Sequence, residues 1–207
     1  MPIAFWGQWD FEIPEDVYFP ADDTHLLLEY ARNRISPQET SLICELGCGS
    51  GIIGVSLALI FPQSQFFLAD ISPKAIETAR ANAIRHNVQD RITFLVSNLF
   101  EKFPQDIKFD WILFNPPYLP ASGELGALEF QQQTEGGPSG LEITQQFLEK
   151  LPHFLQRTGN ALFIASSWSS PINLQSFCAE KHLYLKRKKS IHIFFEDIIL
   201  FEVGFLK

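Results

Sequence analysis

The sequence predicts a doubly wound α/β fold: a mostly parallel seven-stranded sheet with an antiparallel C-terminal strand. Three observations carry this. Short apolar runs alternate five times with segments of helical period. Four of those runs end abruptly on polar or glycine-rich residues, as strands do where they meet a ligand-binding edge. The last two runs follow each other closely enough to form a hairpin, with no helix between them.

The elements follow in order. Residues 1–20 hold Phe5, Trp6, Trp9, Phe11, Tyr18 and Phe19 and are read as irregular. Such a segment either packs over an exposed face of the core, the usual role of clustered aromatics, or lies as a lid over a ligand. The expected organisation is this segment followed by one domain over 21–207. A helix is predicted over Asp22–Arg34, with Leu27, Ala31 and Ile35 at helical spacing and Pro37 as its stop. SLICEL (41–46) is a strand that breaks into a glycine loop, and IIGVSLALIF is a buried helix. SQFFLAD (64–70) is the second strand. Ser72-Pro73 then starts a helix, with serine as cap and proline in the first turn. RITFLVSN (91–98) is the third strand, with Ile92, Phe94 and Val96 expected on one buried face. FDWILFN (109–115) is the fourth, a helix follows near 141–154, and GNALFIASS (159–167) is the fifth. A short helix near 172–180 precedes the final pair, LYLKRKKSIHIFF and DIILFEVGF.

Composition narrows the function classes. The chain has 207 residues, 46% of them hydrophobic, and its 20 phenylalanines argue for one well-filled core and against disorder. A formal charge of −8 counts against a general phosphate-binding surface. The basic run Lys186–Lys189 is the local exception and reads as a solvated strand. Cys44, Cys48 and Cys178 form neither a disulfide framework nor a zinc pattern, and the histidines are scattered, so no metal site is expected. Residues 46–69 are free of charge, but Pro62 and Gln63–Gln65 interrupt them, so helix plus strand is read there instead of a membrane span. With no signal-peptide pattern at the N-terminus, a cytoplasmic protein is expected.

The chemistry is concentrated at the strand ends. Gly47, Gly49, Gly51 and Gly54 follow the first strand and permit a tight turn with close approach of backbone to ligand. Glu45 beside that loop would repel a pyrophosphate. It suits a cationic ligand such as S-adenosylmethionine (SAM), which carries an ammonium and a sulfonium. Asp70 ends the second strand, where a carboxylate can accept from both hydroxyls of a ribose. Asn98 and the Leu99 backbone N–H follow the third strand, placed to read an adenine edge.

Asn115-Pro116-Pro117-Tyr118 ends the fourth strand and is the most specific signal. Two successive prolines remove two backbone donors and leave carbonyls. The Asn115 side-chain oxygen and the Pro116 carbonyl can together accept both hydrogens of one –NH2 group, with Tyr118 offering a flat face beside it. Two acceptors on a conjugated nitrogen draw it toward tetrahedral geometry and free its lone pair.

This set resembles class I SAM-dependent methyltransferases and, within them, the HemK family, whose members methylate the glutamine amide of the Gly-Gly-Gln motif in translation release factors. Residues 16–27, DVYFPADDTHLL, resemble the segment before the first strand in the short archaeal and eukaryotic branch, and Gly136-Gly137-Pro138-Ser139-Gly140-Leu141 resembles the stretch that follows the catalytic motif. The resemblance implies that Thr24, Glu45, Gly47, Gly49, Asp70, Asn98, Leu99 and Asn115 contact SAM. It implies that Asn115, Pro116 and Tyr118 hold the substrate amide. It also implies a release factor as protein substrate and, in the short branch, a small zinc-binding activator subunit. Phe19 stands where that branch usually has Glu, and Asn98 where Asp is common. The long bacterial branch carries an N-terminal helical domain that this chain, starting some twenty residues before its first helix, is expected to lack.

Three other readings compete. A nucleic-acid methyltransferase acting on an exocyclic amine of adenine or guanine would use the same Asn-Pro-Pro-Tyr chemistry, but it calls for a basic track that the charge does not supply. A binding protein without turnover leaves that motif unexplained. A nicotinamide-linked oxidoreductase is disfavoured by Glu45.

Overall fold

The computed structural model describes residues 1–36, 40–121, 134–169, 173–193 and 195–206. The expected Pro37 stop lies outside them. The sheet has seven strands: β3 (Leu42–Leu46), β4 (Gln65–Asp70), β5 (Ile92–Val96), β6 (Phe109–Phe114), β7 (Leu155–Ser166), β8 (Leu183–Ile193) and β9 (Glu196–Phe205), in the order β5-β4-β3-β6-β7-β9-β8. β3 pairs in parallel with β4 on one side and β6 on the other, so the winding reverses beside β3. β9 runs antiparallel to both β7 and β8.

Among the described residues, helices α1 (Asp22–Arg34), α2 (Ile52–Ile60), α3 (Pro73–Arg85), α4 (Glu142–Phe154) and α5 (Leu174–Glu180) cover the two faces. The pleat of β6 divides its side chains between two cores. Trp111 and Leu113 join α1, α2 and α3; Ile112 and Phe114 join α4 and α5. Every residue of β6 from Trp111 to Phe114 is buried, as a central parallel strand requires. In the second core Phe100 stacks on Phe154 at 4.3 Å, with Phe103, Phe147 and Phe163 around them. The charge-free stretch 46–69 resolves into the loop, α2 and β4. No helix among the described residues is long and apolar enough to cross a membrane.

Local signals act as expected in α3, where Ser72 Oγ accepts from the Ala75 amide at 3.3 Å and Pro73 occupies the first turn. Three expectations need correction. Residues 1–20 are not irregular throughout, because β1 (Ile3–Trp6) and β2 (Trp9–Glu12) form an antiparallel hairpin turned at Gly7. Its Ala4, Trp6 and Phe11 enter the α1–α3 core, and Asn82 of α3 bonds both the N–H and the carbonyl of Glu12. β5 does not bury Ile92, Phe94 and Val96 alike, since Val96 is 46% exposed. β5 is an edge strand, and the Arg80 guanidinium covers the Phe94 ring from α3. β7 begins at Leu155, earlier than expected, and its register against β6 shifts between Phe109 and Trp111.

Candidate active site

The carboxyl ends of β3, β4, β5 and β6 open into one cavity of about 650 Å3. The structure brings Thr24, Glu45, Gly47, Gly49, Asp70, Asn98, Leu99, Asn115, Pro116 and Tyr118 together on its wall. Strand register explains the convergence: Leu46 lies opposite Ala69 of β4 and Phe114 of β6, so the residues that follow each strand emerge side by side.

The loop after β3 is hydrogen-bonded to the end of β4. The Cys48 N–H donates to the Ala69 carbonyl at 3.0 Å, and the Gly49 N–H donates to Asp70 Oδ2 at 2.9 Å. Gly47 has φ +60°, and a Cβ there would sit 3.3 Å from the Phe114 ring. Only glycine turns the loop while lying this close to the fourth strand. Asp70 accepts a second backbone bond, from Ser72 to Oδ1 at 2.9 Å. Each of its oxygens is thus fixed by one N–H and keeps further acceptor capacity beside the cavity. Burial raises the Asp70 carboxyl above its ordinary value, although these N–H bonds oppose it. Glu45 is more deeply set. Its Oε2 accepts from the Gly54 N–H at 2.8 Å, and burial holds its carboxyl well above the usual range. Gly54 makes room for it, since a Cβ there would fall 2.6 Å from that oxygen.

After β5, Asn98 is exposed and donates through Nδ2 to Glu101 at 3.1 Å, which leaves Oδ1 as its acceptor. Leu99 has φ +48°, a left-handed conformation uncommon for leucine and a form of backbone strain found at ligand sites.

The Asn115–Tyr118 segment is braced from behind. The Gly136 N–H donates to the Leu119 carbonyl at 2.9 Å. A Cβ on Gly136 would lie 2.4 Å from the Pro117 carbonyl oxygen, and one on Gly140 2.5 Å from that of Tyr118. The glycines of the 136–141 stretch therefore let one backbone lie directly against the other. Asn115 Nδ2 donates to Asp23 Oδ2 at 3.0 Å, while its Oδ1 is buried without a hydrogen-bond partner among the described residues. A buried acceptor left unpaired is costly and marks a place where a ligand donor belongs.

Asp23 was not singled out from sequence. It is 3% exposed and accepts from Tyr18 and Tyr118 hydroxyls, from the Thr24 N–H and hydroxyl, and from Asn115. As an acidic residue in the first turn of α1 it reads as a complement to the helix dipole, and Asn115 lies 92 positions away. Tyr18 and Asp16, in the aromatic N-terminal segment, also line the cavity, so that segment both packs on the core and reaches the site. Burial, and then the Asp23 charge, push the Tyr18 and Tyr118 phenols above their ordinary values, so both stay protonated donors.

Solved structures share this architecture. The E. cuniculi Mtq2–Trm112 complex, responsible for methylation of the eRF1 translation termination factor, superposes with a TM-score of 0.70 at 19% identity, covering 92% of this chain and 99% of that one. The METTL16 methyltransferase domain gives 0.72 at 16% identity, with 95% and 89% covered. At such identities the likeness is one of fold. Among sequence relatives, human methyltransferase HEMK2 is 33% identical over 175 residues, 81% of this chain and 80% of its own length. The release factor glutamine methyltransferase of Dictyoglomus turgidum is 32% identical over 195 residues, 91% of this chain and 64% of its own. The chain spans only 48% of the corresponding Moorella thermoacetica enzyme. The methyltransferase small domain model matches residues 22–176, from the helix that carries Asp23 and Thr24 through the ends of β3 to β6 and on past β7, and to that family this chain belongs.

Proposed function

We propose that the chain is a SAM-dependent N-methyltransferase acting on a planar –NH2 nitrogen, the side-chain amide of the glutamine in a Gly-Gly-Gln loop of a translation release factor. The observation that carries this reading is the buried, unpartnered Oδ1 of Asn115, a residue that lines the cavity next to Pro116. Bound there, SAM supplies an electrophilic methyl on a sulfonium. Asp70 holds the ribose hydroxyls through oxygens already fixed by Gly49 and Ser72. The free Oδ1 of Asn98 and the Leu99 N–H hold the adenine edge. Thr24 and the Gly47–Gly49 backbone, with Glu45 behind them, bound the methionine end.

Asn115 Oδ1 and the Pro116 carbonyl accept the two amide hydrogens and turn the nitrogen lone pair toward the methyl. Tyr118 fixes the plane of the incoming amide. The clamp polarises N–H bonds and needs no strong base, since the proton lost after methylation leaves to solvent. Positioning and electrostatics carry the rate.

The names of HEMK2 and of the glutamine methyltransferases support a protein amide over a nucleic-acid amine, as does the charge of −8. Mtq2 stands in complex with Trm112, which supports a small activator subunit, zinc-binding by the resemblance, as partner of this chain too. The site of action would be the cytoplasm, where release factors work.

The test is incubation with labelled SAM and release factor, tRNA, rRNA and DNA in parallel, followed by mass spectrometry. One added methyl on the Gly-Gly-Gln glutamine, absent from a Gln→Ala factor, is expected. Methylation of nucleic acid with the factor untouched would move the assignment to an exocyclic amine.

A further inference from the structure

An asparagine amide has two ends of nearly equal shape, one accepting and one donating. A clamp for an –NH2 group works only if the accepting end faces the ligand, and nothing in the Asn-Pro-Pro-Tyr sequence decides which end does. The structure supplies the decision from α1. Asp23 Oδ1 takes the Thr24 N–H and hydroxyl, which fixes the carboxylate against the start of the helix. Its Oδ2 is then aimed at Asn115 Nδ2 at 3.0 Å and at the Tyr118 hydroxyl at 3.0 Å, with the Tyr18 hydroxyl at 3.1 Å. An ionised carboxylate only accepts, so each of these neighbours has to donate.

We infer that Asp23 is a positioning and specificity residue: it forces Oδ1 of Asn115 toward the cavity, so that the site takes a donating –NH2 group and refuses an acceptor such as a carboxylate. This rests on the proposed amide methylation. The reversed rotamer would set Asn115 Oδ1 against Asp23 Oδ2, two acceptors in a buried place, which is strongly disfavoured. The charge also works through the bond. Donation of Nδ2 to an anion increases the negative charge on Oδ1 and strengthens its grip on the substrate hydrogens. The glutamine over glutamate choice is then written 92 positions away from the motif that executes it.

The near-isosteric Asp23→Asn inverts this logic. The Thr24 bonds hold the new amide oxygen in the Oδ1 place, so its NH2 faces Asn115 and turns Asn115 around. Asp23→Asn is expected to lower kcat by about 10²–10³-fold with SAM affinity within a few-fold. In an Asn115→Ala background the effect of the same change should shrink at least tenfold, what remains being the share that Asp23 exerts through the Tyr118 hydroxyl. Calorimetry with S-adenosylhomocysteine present, comparing Gly-Gly-Gln and Gly-Gly-Glu peptides, should show the glutamine preference of the wild type narrowed or reversed. Equal losses for both peptides, or an undiminished effect in the Asn115→Ala background, would make Asp23 merely structural and overturn the inference. A measurement on the wild type covers a variant that does not fold: the Asn115 side-chain NH2 protons should exchange slowly with solvent by NMR, and exchange as fast as that of exposed asparagines would also overturn it. If the wild type takes neither peptide, the functional reading fails, while the NMR result still decides the orientation of Asn115.

Discussion

Two buried carboxylates, one in the first turn of α1 and one on β9, show how the same group serves different ends. Asp23 at the cavity is surrounded by neutral donors: two phenols, an amide, a hydroxyl and a backbone N–H. Glu202 on β9 meets Arg34 at 3.2 Å, Lys188 at 3.1 Å and the Tyr184 hydroxyl at 3.2 Å. Burial pushes the Glu202 carboxyl up, but Lys188 and Arg34 outweigh it and hold it below its usual range. A charge matched by cations is spent within the fold. A charge met only by dipoles orients them, and here the oriented dipoles line a ligand cavity. The first arrangement ties the β8–β9 edge to α1; the second prepares a site.

The comparison can be broken most forcefully at Asn115. Asn115→Ala should lower turnover by about 10³-fold or more, since the proposed clamp would act on the transition state, with SAM affinity within a few-fold. Melting temperature should fall by a few degrees: the lost oxygen has no partner in the fold, but Nδ2 gives up its bond to Asp23, whose Oδ2 keeps the two phenol donors. Wild-type turnover in this variant would end the proposed role of the motif.

Asp70→Ala tests a second carboxylate of the cavity wall, one proposed to face the ligand directly. If Asp70 holds the ribose as proposed, losing its charged hydrogen bonds should cost about 1.5–3 kcal/mol each, read as weaker SAM binding by calorimetry. Only the ionised form accepts from both hydroxyls, and burial has raised its pKa. SAM affinity should therefore begin to fall on acidification at a higher pH than an ordinary carboxylate would dictate. Affinity unchanged by the substitution would remove Asp70 from the site.

Glu202→Gln should behave in the opposite way, with turnover kept and stability reduced. Losing the charge opposite Lys188 and a half-exposed Arg34 is expected to cost about 1–2 kcal/mol, a few degrees of melting temperature. The folded pKa is depressed, so this stabilisation is full above the unfolded value of about 4.3 and is lost as pH falls through the lower folded value. The gap in stability between wild type and variant should close below that pH. A variant as stable as the wild type but inactive would erase the distinction between the two carboxylates.

The smallest effect concerns the thiols. Burial raises all three, Cys44 and Cys48 well above the ordinary value and Cys178 to about 11. Alkylation of the native protein should be slow, and rapid labelling of Cys48 at the cavity wall would show the loop opening.

Some of the molecule was legible because local rules act locally. The bounds of α1 follow from apolar spacing, the start of α3 from Ser72-Pro73, and the burial of β6 from its unbroken apolar run. The β1–β2 hairpin had a readable sign, Gly7-Gln8 between alternating aromatic runs, which was obscured by the density of aromatics. The exposure of Val96 had none, because whether a strand lies at an edge depends on strand order.

The sequence by itself determined the alternation of strands and helices, and it placed chemically capable residues just past the strand ends. Both follow from periodicity and turn chemistry, which act over a few residues. Only the tertiary structure decided which of those residues share a wall, that Gly136 and Gly140 lie against the Asn115–Tyr118 backbone, and that Asp23 orients Asn115 across 92 positions. The physical reason is that hydrogen-bond direction belongs to a pair: a carboxylate chooses which end of an amide faces the ligand only once folding has brought the two within 3.0 Å.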